Sequence, residues 1–254
     1  MKSVQEIKSM KSRQKIAMLT AYDFPTAKLM DKLVDIILVG DSLGMVVLGY
    51  ENTTKVTMDD MIRATSAVAR GAKDTLIVGD MPIGTYDNEE DALKNAKLFL
   101  ESGAHAVKIE NKPEIAEFLV KNKIEVMGHI GLTPQTIVNF KVQGKDKEGA
   151  ERILQEAEEL DKAGCFSVVL ECIPLTLAET ITKKIEIPTI GIGAGIHCDG
   201  QVLVTSDILG LYGDFKPKFL KRYTEIGSKM RKAFEDYAKD VREKKFPDEG
   251  HSFH

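Results

Sequence analysis

The sequence predicts a single α/β domain, a (β/α)8 TIM barrel, and three observations carry that expectation. Short apolar runs recur without polar alternation, the mark of strands buried on both faces in a parallel sheet. Amphipathic stretches with helical spacing separate them, so strands and helices alternate. Seven or eight such units fit into 254 residues, a length that suits one closed barrel better than an open doubly wound sheet.

Ile16-Ala17-Met18-Leu19-Thr20-Ala21 reads as the first strand, with a helix over 25–33. Ile36-Ile37-Leu38-Val39-Gly40-Asp41 is the second strand. Residues 57–70 follow as a helix, with Thr57 as N-cap, Asp60 as the acid of a capping box and Gly71 as the C-terminal stop. Leu76-Ile77-Val78-Gly79-Asp80 is the third strand, and the amphipathic run 88–102, stopped by Gly103, is its helix. Ala106-Val107-Lys108-Ile109-Glu110 is the fourth strand, before a helix over 112–122. Ile124-Glu125-Val126-Met127-Gly128-His129 is the fifth. A helix over 147–163, stopped by Gly164, leads to the sixth strand, Ser167-Val168-Val169-Leu170-Glu171. A short helix over 175–184 precedes the seventh, Ile187-Pro188-Thr189-Ile190-Gly191-Ile192. An eighth strand is placed within 201–208 and a Lys- and Arg-rich helix over 215–244. The barrel domain is therefore set at 1–245, followed by a short polar tail, 246–254, read as mobile and solvated despite His251 and His254.

Composition narrows the function. A net charge of −4, no Trp and no basic stripe interleaved with aromatics argue against nucleic acid or an anionic membrane as partner. The polar, lysine-rich start lacks an apolar secretory segment, and no run is long enough to span a bilayer, so a cytoplasmic protein is expected. Cys165, Cys172 and Cys198 are odd in number, widely spaced and form no CxxC pair. That pattern suggests a reducing compartment, with neither a disulfide framework nor a zinc site.

The chemistry is expected where strands end. In parallel barrels the site lies at the carboxyl ends of the strands, and here Asp41, Asp80, Glu110 and Glu171 close four of them and His129 a fifth. The Gly-Asp pairs at 40–41 and 79–80 suggest sharp turns, the first followed by Ser42 and free amides at the rim. Period-two alternation puts Lys108 on the same face as Glu110. Hard carboxylate oxygens on an open rim suit Mg²⁺. Glu171 ends a very apolar strand, where poor solvation is expected to raise its pKa and make it a better general base. His129 could donate a hydrogen bond to a substrate oxygen or shuttle a proton, while His105 and His197 read as structural. Gly191-Ile192-Gly193-Ala194-Gly195 lacks the dinucleotide-binding spacing. It leaves two readings open, a phosphate cradle or close backbone approach beneath a ligand.

Ala21-Tyr22-Asp23, Val39-Gly40-Asp41-Ser42-Leu43-Gly44, Gly79-Asp80-Met81-Pro82, Val107-Lys108-Ile109-Glu110, Met127-Gly128-His129-Ile130-Gly131-Leu132-Thr133-Pro134-Gln135, Val142-Gln143-Gly144, Ile190-Gly191-Ile192-Gly193-Ala194-Gly195 and Asp199-Gly200-Gln201-Val202-Leu203-Val204 together resemble the ketopantoate hydroxymethyltransferase family, in order from about residue 3 to 240. The resemblance implies a (β/α)8 barrel that moves a one-carbon unit from 5,10-methylenetetrahydrofolate to 3-methyl-2-oxobutanoate. The product is 2-dehydropantoate, formed through a Mg²⁺-stabilised enolate in pantothenate biosynthesis. It also implies Asp41, Asp80 and Glu110 as metal ligands, with Asp41, Ser42, Asp80 and Lys108 on the substrate. Glu171 would be the proton acceptor, with His129 near the reacting oxygens, in a homodecamer. Two departures stand out: 136–140 is shorter than the family's usual loop, and Ser206 replaces a common His before Asp207. The rival readings are another Mg²⁺-enolate barrel, of the phosphoenolpyruvate mutase or isocitrate lyase type, and a non-catalytic metal-binding scaffold. The first would carry a cysteine-bearing catalytic loop, which is not evident; the second sits poorly with the intact set Asp41, Asp80, Lys108, Glu110 and Glu171.

Overall fold

A computed structural model describes residues 2–136, 141–211 and 216–253. The chain forms two compact units, Met1–Val204 and Thr205–His254. The first holds eight strands: β1 (Ile16–Thr20), β2 (Ile36–Val39), β3 (Leu76–Asp80), β4 (Ala106–Glu110), β5 (Val126–Gly131), β6 (Ser167–Glu171), β7 (Thr189–Ile192) and β8 (Gly200–Leu203). All neighbours are parallel and β8 returns to β1, so the sheet is a closed barrel in sequence order. The helices of this unit are α1 (Val4–Ser9), α2 (Phe24–Met30), α3 (Leu43–Val46), α4 (Met58–Gly71), α5 (Glu89–Glu101), α6 (Pro113–Lys121), α7 (Lys147–Lys162) and α8 (Leu175–Lys184).

Strand alternation divides the core in two. Ile37, Val39, Ile77, Val107, Ile109, Val168 and Leu170 pack with residues of the surrounding helices. Their neighbours Ile36, Leu38, Leu76, Val78, Ala106, Met127, Val169, Ile190 and Val202 form a separate cluster with Val4, Ile7 and Met10. The second cluster is the barrel interior, closed at one end by α1. A fully buried side chain such as Ile7 contributes about 2 kcal/mol over an exposed one. The same parity places Asp80, Lys108, Glu110, His129 and Glu171 on the interior side, after this apolar layer.

Local chemistry explains the element boundaries. Thr57 caps α4 in a full capping box with Asp60, as expected. Gly103 and Gly164 follow α5 and α7 with positive φ, the left-handed stop that glycine favours. Gly71 differs: it is the last helical residue, and a Cβ there would lie 2.5 Å from the Phe24 carbonyl. Its small size lets α2 approach α4. Gly79 does not make a turn either. It is a β3 residue, and a Cβ would meet the Phe99 ring at 2.2 Å. β5 runs two residues past His129, so this histidine lies inside a strand rather than at its end.

Asp199, before β8, ties the barrel's two chain ends together. Its carboxylate accepts from Ser12 N and Thr189 N, each at 3.0 Å, and pairs with Lys11 Nζ at 3.0 Å. Burial works against the charge, but these donors outweigh it and hold the carboxyl below its ordinary value. We expect Asp199→Asn to cost on the order of 3 kcal/mol, since it strips charge from one partner of a buried pair, as read by denaturant titration. The folded pKa is the lower one, so this contribution is present above the unfolded value. It fades as pH falls below about 4 and through the folded pKa; in Asp199→Asn that part of the acid sensitivity disappears.

The second unit contains α9 (Thr205–Ile208) and α10 (Ile226–Arg242). The helix expected over 215–244 is shorter than the sequence pattern suggested, with none over 216–225. Pro217 lacks an N–H, and Tyr223 N and Ile226 N are spent on Ile208 O and Leu209 O, each at 2.8 Å. On α10, Met230, Phe234, Tyr237 and Val241 follow one another at helical spacing and are exposed. The tail departs from a free end: Phe246 stacks edge-on to Tyr237 at 5.8 Å, and Asp248 caps a turn over Glu249–His251.

Candidate active site

The interior-facing polar residues of β3 to β6 meet one another and Asp41, which follows β2. Parallel register sets Asp80 beside Lys108 and Glu110 beside His129. Lys108 Nζ donates to Asp80 Oδ1 at 2.7 Å, both side chains being buried. The other Asp80 oxygen accepts from Asp41 N at 3.3 Å. On the far side His129 stands between two acids, with Nδ1 3.3 Å from Glu110 Oε1 and Nε2 3.1 Å from Glu171 Oε2. These are ion-pair distances without hydrogen-bond alignment. The structure thus gathers Asp41, Asp80, Lys108, Glu110, His129 and Glu171. Ser42 adjoins them through Asp41, with its hydroxyl 2.9 Å from Tyr22 Oη.

The electrostatics follow from this crowding. Burial, and then the Asp80 charge, push the Asp41 carboxyl up to about 8, against the pull of Lys108. Burial and Lys108 both disfavour a charged His129, yet the Glu110 and Glu171 carboxylates outweigh them and raise it to about 9. Burial likewise opposes the Lys108 ammonium, and the charges of Asp80, Glu110 and Asp41 overcome it and raise its pKa. Four carboxyl groups therefore face one ammonium and one imidazolium; with all four ionised the excess would equal the charge of one divalent cation, which would draw the proton off Asp41. Oxygen-only donors fit Mg²⁺ or a similar hard ion. Among the described residues no three acids, cysteines or histidines form a ready-made metal cage; Lys108 and a glutamine hold the Asp80 and Asp41 carboxylates instead.

Glu171 is set apart by access. Its side chain is 17% exposed, against 4% for Glu110, so the expected desolvation is incomplete. Next to it, Cys172 is no nucleophile: burial, then the Glu171 charge, lift its thiol to about 11. His105 accepts from Ile77 N at 3.0 Å, a structural role as expected.

One expectation needs correction. The amides after Asp41 are not free: Leu43 N, Gly44 N and Met45 N donate to Gly40 O, Asp41 O and Ser42 O. In the glycine-rich turn Gly193 and Gly195 have positive φ, 66° and 86°, a backbone conformation that favours glycine. The shortened loop lies largely in 137–140, outside the described residues, and Ser206 lies in α9 of the second unit.

Two residues escaped sequence reasoning. Gln135 Nε2 donates to Asp41 Oδ2 and Met81 O, each at 3.0 Å, and Gln135 N donates to Glu110 Oε2 at 3.2 Å. Tyr86 Oη donates to Gln135 Oε1 at 2.5 Å and accepts from Glu110 N at 3.3 Å. Gln135 closes the specific stretch 128–135, which was the available signal; Tyr86 sits in a loop with no periodicity to mark it.

Comparison with known proteins gives a consistent picture. The family model described as ketopantoate hydroxymethyltransferase matches residues 1–249. The 3-methyl-2-oxobutanoate hydroxymethyltransferase of Clostridium kluyveri is 55% identical over 251 residues, covering 95% of this chain and 90% of its own. The protein of that name from Clostridium acetobutylicum is 53% identical, covering 95% and 91%. Among solved structures, 2,3-dimethylmalate lyase, a PEP mutase/isocitrate lyase superfamily member, matches with a TM-score of 0.67. That match covers 95% of this chain and 89% of the lyase at 16% identity, a likeness of fold alone.

Proposed function

The chain belongs to the ketopantoate hydroxymethyltransferase family, and from that premise we propose how its barrel residues divide the reaction. It is an enzyme that transfers a hydroxymethyl group to 3-methyl-2-oxobutanoate. Relatives of more than half identity bear that name, so the kinship with mutase and lyase barrels extends to architecture and not to reaction.

The donor we assign is 5,10-methylenetetrahydrofolate and the product 2-dehydropantoate, an intermediate toward pantothenate. Asp41, Asp80 and Glu110 are the residues suited to hold Mg²⁺, whose positive charge would stabilise negative charge on the keto oxygen. Lys108 and Ser42 are placed to bind the substrate carboxylate. Glu171 accepts the C3 proton through its accessible carboxylate, and its contact with His129 orients it. His129, charged near neutral pH in this setting, has both ring nitrogens facing carboxylates and serves as positive charge near oxygens that gain charge as the proton leaves. The electron pair released at C3 forms the new bond to the one-carbon unit, whose two bonds to the folate nitrogens break; water supplies the hydroxyl oxygen and tetrahydrofolate leaves.

One observation carries this reading most: three buried carboxylates with Lys108 stand on one side of His129, and a single accessible carboxylate stands on the other. Incubation with 3-methyl-2-oxobutanoate, Mg²⁺ and methylenetetrahydrofolate tests it. Formation of 2-dehydropantoate is expected; a folded, metal-loaded chain that makes none refutes it.

No described helix is long and apolar enough to cross a membrane, and three free cysteines suit a reducing cytoplasm. The exposed apolar stripe on α10 suits contact between copies in a homodecamer. Sedimentation at about ten times the 28.1 kDa chain mass is then expected; a monomer would overturn that assembly.

A further inference from the structure

We propose that Gln135 is the positioning residue for the two outer cation-holding carboxylates, and that Tyr86 holds Gln135 in place. This rests on the reading of Asp41, Asp80 and Glu110 as the cation's ligands.

The contacts form a closed circuit. Gln135 reaches the Asp41 carboxylate through its side chain and the Glu110 carboxylate through its main chain. Tyr86 joins the Gln135 amide oxygen to the Glu110 backbone. Glu110 is thereby held at both its backbone and its carboxylate. Both Tyr86 and Gln135 are 4% exposed, so these bonds face little competition from water.

The chemistry calls for an amide. One Nε2 hydrogen goes to Asp41 and the other to Met81 O, while Oε1 accepts the Tyr86 hydroxyl, so every polar atom of the side chain is used. A flipped amide would turn its oxygen toward a carboxylate. A glutamate would add a like charge beside Asp41, and an apolar side chain would leave Asp41 without this donor. Lys108 and the Asp41 backbone N–H restrain Asp80, so all three carboxylates are held by donors. The circuit joins the end of β4 to the segments after β2, β3 and β5. Gln135 therefore couples the loop that follows β5 to the geometry of the cation site.

The test is Mn²⁺ binding, measured by electron paramagnetic resonance of the free ion with saturating 3-methyl-2-oxobutanoate. Outer partners of ligands typically contribute 10- to 100-fold in metal affinity, and a loss of about that size is expected for Gln135→Met. Tyr86→Phe should weaken binding by a smaller factor. The double variant should match Gln135→Met, because Tyr86 acts through Gln135. Turnover of Gln135→Met should recover at saturating cation, which a residue acting on the substrate would not permit. A merely structural role would lower thermal stability and leave Mn²⁺ affinity alone. Unchanged affinity in Gln135→Met, or full additivity in the double variant, overturns the inference. Should Gln135→Met not fold, unchanged affinity in Tyr86→Phe does the same. Failure of the unsubstituted chain to bind Mn²⁺ refutes the cation reading itself.

Discussion

Glu171→Gln lowers formation of 2-dehydropantoate by about 10²- to 10⁴-fold, the usual contribution of a positioned general base, with little change in affinity for 3-methyl-2-oxobutanoate. The substitution is nearly isosteric. An amide oxygen can still face His129 Nε2, 3.1 Å from the present carboxylate oxygen, so the end of β6 has no reason to move. What is lost is the ability to accept a proton. Retained affinity with lost turnover marks an interaction made in the transition state alone. Equal losses in affinity and turnover would instead place Glu171 among the substrate-holding groups.

Asp80→Asn has two consequences of different origin. It removes the carboxylate facing Lys108 Nζ at 2.7 Å and leaves a buried ammonium with only the Glu110 and Asp41 carboxyls to offset it, at a stability cost of about 3 kcal/mol. It also removes one of the three cation-holding acids, so Mg²⁺-dependent substrate binding should weaken by at least about 10-fold. A double variant separates the two. In Asp80→Leu with Lys108→Met the buried charges vanish together, and stability should return toward that of the parent chain. Cation-dependent binding should not return. Measured by calorimetry with and without Mg²⁺, a double variant that regained binding would remove Asp80 from the ligand set.

The layout of the site was legible because period-two alternation governs it. Once Ile36, Leu76, Val78 and Met127 face inward, Asp80, Lys108, Glu110, His129 and Glu171 must do so too. The sequence could place these residues on the interior but not rank their solvation: Glu171 ends an apolar strand and still keeps 17% exposure. His129 looked like a strand end because Gly128 and Gly131 flank it, whereas β5 pairs with β6 through Gly131.

The parts that stayed hidden depend on loops. Tyr86 and Gln135 are 49 positions apart, and only closure of the barrel brings them together. Gly71 and Gly79 matched turn and stop patterns, yet both serve close packing, against Phe24 and Phe99. The early part of the C-terminal helix failed because charge-rich spacing at 216–225 cannot reveal that the Tyr223 and Thr224 amides bond to Ile208 O.

The division of labour between the cation-holding acids and Glu171 is tested most directly by proton exchange at C3 of 3-methyl-2-oxobutanoate in D₂O, without any one-carbon donor. With Mg²⁺, the methyl doublet in the proton spectrum should collapse as deuterium enters. Exchange should slow by at least about 10²-fold in Glu171→Gln, although that variant still binds Mg²⁺ and substrate. Exchange at the parent rate in Glu171→Gln would contradict the account, because the proton would then be leaving to some other group.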